Sequence, residues 1–492
     1  MALPPGLTQA EFDDALAEFA NVVGPEWVFS DDANLESYRD PFSPLRNTAA
    51  EALASAAVGP DSVEQVQQIL RIANDYGIPL WVISTGKNFG YGGPAGVVPG
   101  AVTLDLQRMN RIIEVNESQA YAVVEPGVSY FDLYRYIQER GLKLWIDNPE
   151  PGWGSVVGNT LERGTGYTPY GDHVETQCGL EVVLPNGELL RTGMGAVPNS
   201  ETWHEYKWGF GPYVEGLFSQ SNLGVVTRMG VWLMDEPPAY RAGQMTVARH
   251  EEIVELIDIL KPLWRQRILT NYPNMRRVDF AGPSGWFNRL AFYGDRQVVD
   301  RHWELVQDAY ASLPGTELRT TLYEAPYNPA EWDLNTKLLA GVPYMNAMYG
   351  IGHNVYFALV VPFRGAAIWD VIQTLDGIAQ RYGRRFYGTP VHVHSPRGLL
   401  TTVSIRVDKN DPELNAQTIE MGREMVAESA GRGWGVYRVA PAFSDIAAAA
   451  YGYNDNALMR FNEALKDLID PNGILQPGKN GIWPANMREG RG

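Results

Sequence analysis

The chain has a single cysteine, Cys178, in 492 residues. That excludes an intrachain disulfide framework and any Cys-x-x-Cys zinc or redox site, and it suits a reducing compartment. Positive charge is also scarce: 40 Lys and Arg stand against 58 Asp and Glu, a formal net charge of −18. A nucleic-acid binder would need a basic face, so none is expected as a partner. The same balance argues against attraction to an anionic membrane surface. No apolar run reaches the ~18 residues needed to cross a bilayer. Residues 1–8 lack a basic stretch followed by an apolar one, so no secretory leader is expected, and the cytoplasm is the expected location.

What the chain does have is glycine, 50 residues, with 25 tyrosines and 14 tryptophans. Hydrophobic residues make up 45% and charged residues 20%, which is enough apolar material for a sizeable core. The length is that of several domains at about 150 residues each. Thr8 with Glu11, and Ser62 with Gln65, read as capping boxes opening two helices, the second stopped by Gly77. A buried strand is expected at 79–84, further strands at 101–105, 111–115 and 121–125, and a helix at 129–140. Residues 179–184 and 188–191 read as a hairpin turned by Pro185-Asn186-Gly187. After the proline-containing segment 234–238 the character shifts. Strands at 355–361 and 400–407 alternate with helices at 252–260, 366–381 and 415–430, and a last helix is expected at 456–469. The reading is α+β, with a main domain over 1–238, a cap over 239–440 and a segment, 441–492, returning to the first.

Two glycine-rich stretches, 84–93 and 152–166, have the composition of loops whose amides meet a phosphate. Neither is G-x-G-x-x-G and neither ends in GK[ST], so Rossmann and Walker sites are not supported. For either loop alone, composition favours glycines that only make tight turns. His392 and His394 form an i, i+2 pair with no evident third ligand, so no metal site is expected.

More specific are longer motifs: Ile83-Ser-Thr-Gly-Lys-Asn-Phe-Gly-Tyr-Gly-Gly93, Val124-Glu-Pro-Gly-Val128, Gly154-Ser-Val-Val-Gly-Asn-Thr160 and Arg163-Gly-Thr-Gly-Tyr-Thr-Pro-Tyr-Gly-Asp-His173. Gly216-Leu-Phe-Ser-Gln-Ser-Asn-Leu-Gly224 and Asp470-Pro-Asn-Gly-Ile-Leu-Gln-Pro-Gly-Lys479 complete the set. By these the chain resembles the vanillyl-alcohol oxidase/p-cresol methylhydroxylase flavoprotein family, and within it the 4-alkylphenol oxidase branch. The likeness runs nearly end to end and is weakest over 242–346.

The resemblance implies a two-domain FAD-linked oxidase fold. It implies FAD, with Ser84, Thr85, Gly86, Lys87, Asn88, Ser155, Asn159 and Thr160 around the pyrophosphate. Val225, Val226 and Thr227 would lie on the adenine side and Lys479 toward the isoalloxazine. A covalent tether to the flavin is expected at His353, with His392 as second choice. Tyr91, Tyr437 and Arg438 match the family's phenolate clasp, and Tyr167, Arg276 and Thr389 fall on pocket positions. Glu150 takes the place of the carboxylate near flavin N5, where relatives carry aspartate followed by leucine and this chain has Glu150-Pro151. Asp147 is the competing carboxylate.

The implied reaction is oxidation of para-substituted phenols through a p-quinone methide, with dioxygen reduced to hydrogen peroxide. A same-fold dehydrogenase passing electrons to a cytochrome and a carbohydrate or hydroxy-acid oxidase are the alternatives. A non-catalytic binding protein is the reading from another class. The implied assembly is a homodimer or a larger homo-oligomer.

Overall fold

The structure, a computed structural model, describes residues 2–278, 285–344, 354–386, 390–395 and 397–488. His353 and Thr389, given roles above, lie outside the described residues.

The first helix, Gln9–Val23, opens on the expected reciprocal box, with Glu11 N donating to Thr8 Oγ1 and Thr8 N to Glu11 Oε2. Val63–Tyr76 is capped by Ser62, but its box is not reciprocal: Gln65 Oε1 accepts from Asp61 N, one residue upstream of the expected donor. Gly77 ends the helix in the left-handed region, φ 68°. These two helices pack over a four-stranded sheet in the order Val28–Phe29, Ala56–Val58, Val102–Asp105, Leu80–Ile83, whose last three strands are parallel. Beside it lies an antiparallel five-stranded sheet, ordered Ile112–Asn116, Tyr121–Val124, Val225–Trp232, Gln177–Val183, Leu189–Arg191. The expected hairpin is its outer pair.

The cap is an antiparallel sheet of eight described strands, running from Glu317–Glu324 at one edge to Gly435–Val439 at the other. The helices Ile253–Arg265, Gly365–Arg381 and Pro412–Gly431 bury their apolar sides in its core. That core takes in Phe443 and Ala447, past the boundary expected at residue 440. The helix over 453–469 has left-handed backbone at Asn454, Asp455 and Asn456, so regular helix begins only after them.

The tail then returns to the first sheet. Leu80 N donates to Ile474 O (2.6 Å) and Gln476 N to Leu80 O (2.8 Å). The return is pinned by Lys466, fully buried, whose Nζ donates to Asn222 O (2.8 Å), Leu475 O (2.5 Å) and Asp470 Oδ2 (2.6 Å). Burial lowers the Lys466 pKa, and the equally buried Asp470 opposes that shift. Losing one member of a buried pair strands the other, a cost of about 3–5 kcal/mol. Asp470→Ala is therefore expected to lower stability by about that amount, read as a clear fall in the thermal midpoint of the holoprotein.

Candidate functional site

The loop after Leu80–Ile83 carries the first group of expected residues. Asn88 O accepts from Tyr91 N (3.1 Å) and Gly93 N (2.9 Å), and Asn88 Nδ2 donates to Tyr91 O (3.2 Å), so one residue, through its backbone carbonyl and its side chain, holds the turn that presents Tyr91. Gly90, at φ +74°, carries the loop past the cap: an added Cβ would collide with the ring of Tyr356, whose N donates to Gly90 O (2.9 Å). A cavity of about 280 Å³ opens along this loop. Ser84, Thr85, Gly86, Lys87, Asn88, Tyr91, Ser155, Asn159, Val226, Arg438 and Lys479 all line it.

Other expected residues sit elsewhere. Thr160 faces a small cavity beside Tyr130, Asp147 and His173. Of the Val225–Thr227 run, Val226 alone is on the cavity wall, because alternation along the strand sends Val225 into the other core. Thr227 Oγ1 donates to Glu181 O (3.3 Å). Lys479 Nζ is paired with Glu162 Oε1 at 2.6 Å. Burial raises the Glu162 pKa, but Lys479 and Arg438 outweigh it and hold the carboxyl below its usual value.

Arg438 reaches the cavity from the cap. Its Nη2 donates to Asn88 Oδ1, and its guanidinium carbon stands 4.2 Å from the centre of the Tyr91 ring. Tyr437 is its neighbour in sequence, and in a regular strand the two would face opposite ways. Here the ladder slips: Val436 pairs with Leu359 and Arg438 with Ala358, leaving Tyr437 as the extra residue of a bulge. Gln220 Nε2 donates to Tyr437 O (2.9 Å), satisfying the carbonyl that the bulge frees. Tyr437 lines an adjoining cavity that also shares Arg438. Burial pushes the pKa of both Tyr91 and Tyr437 up, with Arg438 partly opposing it. Both phenols thus keep their protons at neutral pH and remain donors.

Glu150 is 8% exposed, between Pro149 and Pro151 of the cavity wall. Its Oε1 accepts from Arg276 Nη2, and Arg289 Nη2 is 3.9 Å away. Tyr167 joins this group, its hydroxyl 3.5 Å from Arg276 Nη2 and its pKa pushed up to about 12 by burial and by Glu150. Asp147 does a different job: it accepts from Tyr167 N (3.1 Å) and Thr168 N (2.6 Å) and bonds His173 Nε2 (2.7 Å). His392 lies behind Arg276 with its ring against Asn274 Nδ2 (2.9 Å), away from the residues lining the cavity. Burial and then the two arginines push its pKa down to about 3. Among the described residues no group of three His, Cys, Asp or Glu is arranged to hold a metal. No described helix is long and apolar enough to cross a membrane.

Residues 54–193 match the family model described as an FAD binding domain. The chain is 34% identical to the 4-cresol dehydrogenase [hydroxylating] flavoprotein subunit of Pseudomonas putida, over 98% of this chain and 97% of that one. Among solved structures, 4-ethylphenol oxidase from Gulosibacter chungangensis in complex with isoeugenol is 36% identical. It superposes at a TM-score of 0.92, covering 99% of this chain and 100% of that one. Substrate-bound p-cresol methylhydroxylase is 34% identical at a TM-score of 0.90, over 98% and 99%. The chain belongs to the vanillyl-alcohol oxidase/p-cresol methylhydroxylase flavoprotein family. It is an FAD-dependent oxidoreductase of that family.

The cavity suits the family's cofactor. The amides of Thr85, Gly86 and Lys87 have no acceptor among the described residues, as a pyrophosphate cradle requires. Arg438 Nε and Gln476 Oε1 are buried on its wall without a partner. The residues missed at the sequence level are Glu162, Gln220, Asn274 and Arg289. Each acts through a partner elsewhere in the chain, and although Gln220 lies within the 216–224 motif, nothing in that motif points to its partner Tyr437. Gly158 offers a test of the cradle: a Cβ there would collide with Ser84 Oγ. Gly158→Ala is expected to reduce flavin bound per chain at least severalfold, measured from the ratio of flavin to protein absorbance after purification.

Proposed function

We propose that this protein oxidises para-substituted phenols at the benzylic carbon and passes the electrons to dioxygen. The observation that carries the reading is Arg438, a permanent cation half-buried beside the Tyr91 ring at the wall of the flavin cavity. A phenol has an ordinary pKa of about 10, and as phenolate it pushes electrons toward the para position far more strongly than as the neutral form. Arg438 supplies the charge that favours the anion, and Tyr91 and Tyr437, both held protonated, supply O–H donors. Thr402 is hydrogen-bonded to Tyr91 and fixes its hydroxyl. FAD, when bound in the cavity lined by residues 84–88, would supply the acceptor for the benzylic hydride, with dioxygen as the final oxidant and hydrogen peroxide as its product. On this reading the p-quinone methide left behind is held by the clasp. Glu150 then assists water in adding to it, or removes a proton to give an alkenylphenol.

The division of labour follows. We assign flavin binding to residues 1–238 and 441–492, and the substrate cap to 239–440, whose Arg438 completes the pocket. Glutamate in place of the family's aspartate extends the carboxylate by one methylene, and the arginines on the cap hold it back. Similarity to 4-ethylphenol oxidase supports oxygen as acceptor. Similarity to a cresol dehydrogenase supports the same phenol chemistry with another acceptor.

Under anaerobic conditions 4-ethylphenol is expected to bleach the flavin, and in air to consume oxygen with peroxide formed in equal amount. Flavin that stays oxidised ends the phenol reading. Bleaching without peroxide, but with reduction of an added cytochrome, moves the electrons to the dehydrogenase route. Arg438→Met is expected to lower kcat/KM for 4-ethylphenol by about 10²–10³-fold, the usual loss for a preorganised donor to developing negative charge. The tether expected at His353 is read independently: acid-precipitated protein should keep its yellow colour, and His353→Ala should release it.

A further inference from the structure

The phenolate clasp leaves one charged cluster without a complete role. On the cap, Met275 pairs with Asn288 and Arg276 with Phe287 across two antiparallel strands. That register sets Asn274 opposite Arg289 on the face that also carries Arg276. Asn274 Oδ1 accepts from Arg276 Nε (3.1 Å) and from Arg289 Nη1 (2.9 Å), fixing the two guanidiniums side by side. Both turn toward Glu150.

The other described groups that face them are Tyr167, Tyr344, Phe287 and His392, and all are neutral around pH 7. Burial raises the pKa of both tyrosines and lowers that of His392. Arg289 stands 5.3 Å from the Tyr167 ring centre and 5.4 Å from that of Phe287. Two arginines therefore share one carboxylate among the described residues. Arg289 is also 7% exposed, and its Nε is buried without a partner. A buried guanidinium short of an anion is costly, and the natural complement is a second carboxylate.

The cluster adjoins the substrate region. Pro149 and Pro151, on either side of Glu150, line the flavin cavity. Tyr356, whose ring centre is 5.5 Å from that of Tyr91, lies within the fields of both Glu150 and Arg276.

We propose that Arg289, with Arg276, binds a carboxylate carried on the para side chain of the phenol. The preferred substrate class is then 4-hydroxyphenyl-substituted carboxylic acids rather than neutral 4-alkylphenols. Oxidation still removes a hydride from the benzylic carbon, and the carboxylate is an anchor that takes no part in bond making. The proposal rests on the phenol reading above.

The test uses the FAD-loaded enzyme and three near-isosteric ligands: 4-hydroxyphenylacetate, its neutral amide and 4-ethylphenol. Binding is read anaerobically, from the perturbation of the flavin spectrum or from its bleaching. The acid is expected to bind at least tenfold more tightly than the amide, and Arg289→Gln is expected to remove most of that ratio. A ratio of acid to amide affinity isolates the charge, so a general loss of packing in the variant does not imitate the result. Acid and amide binding equally to the wild-type enzyme would overturn the proposal without any variant. So would a ratio unchanged by Arg289→Gln. If 4-ethylphenol bleaches the flavin while the acid shows no preference, this proposal alone fails. If none of the three perturbs or bleaches the flavin, the phenol reading fails with it.

Discussion

A guanidinium that crosses between two units organises this site. Arg438 belongs to the edge strand of the cap sheet, yet its partner is Asn88, in the glycine-rich loop of the flavin-binding unit. Asn88 in turn holds the turn that presents Tyr91, over which Arg438 lies. One side chain thus ties the loop, the cap and the Tyr91 ring into a single arrangement. Moving the cap by an ångström would break the hydrogen bond and carry the cation away from the ring. The bulge at Tyr437 serves the same end, since it keeps a tyrosine and its adjacent arginine in one neighbourhood where a flat strand would part them.

Electrostatic asymmetry follows from that frame. Around Arg438 the phenols of Tyr91 and Tyr437 stay protonated through burial, and the carboxylate in its field, Glu162, is already paired with Lys479. Around Glu150 the balance differs, with a carboxylate embedded among arginines from the cap. The two ends of the site are therefore chemically distinct. One presents a cation beside neutral phenols, and the other holds a carboxylate between two guanidiniums. The acidic surface of the chain as a whole has no part in either.

Much of this was legible in the sequence because it is local. Helix caps, the strand at 80–83, the hairpin and the glycine loops are each written within a dozen residues, and the motifs built on them carry the family likeness. The residues that escaped notice are those whose role depends on register. Arg289 and Asn274 meet only through cross-strand pairing, and Gln220 finds Tyr437 across 217 positions of chain. The Val225–Thr227 run shows the converse: adjacent residues were grouped, and strand alternation separated them. Lys479, read as facing the flavin, lines the cavity and has Glu162 as its partner, a pairing no motif announces.

The central claim is that the site binds its substrate as a phenolate because Arg438 is there. It is tested most directly with 4-bromophenol, which has no benzylic hydrogen to lose. Ultraviolet difference spectra of the FAD-loaded enzyme at neutral pH should show the phenolate absorption for the bound ligand, although the free phenol is un-ionised there. The Arg438→Met protein should lose that band. A ligand that binds tightly to the wild-type enzyme with the spectrum of the neutral phenol would contradict the account.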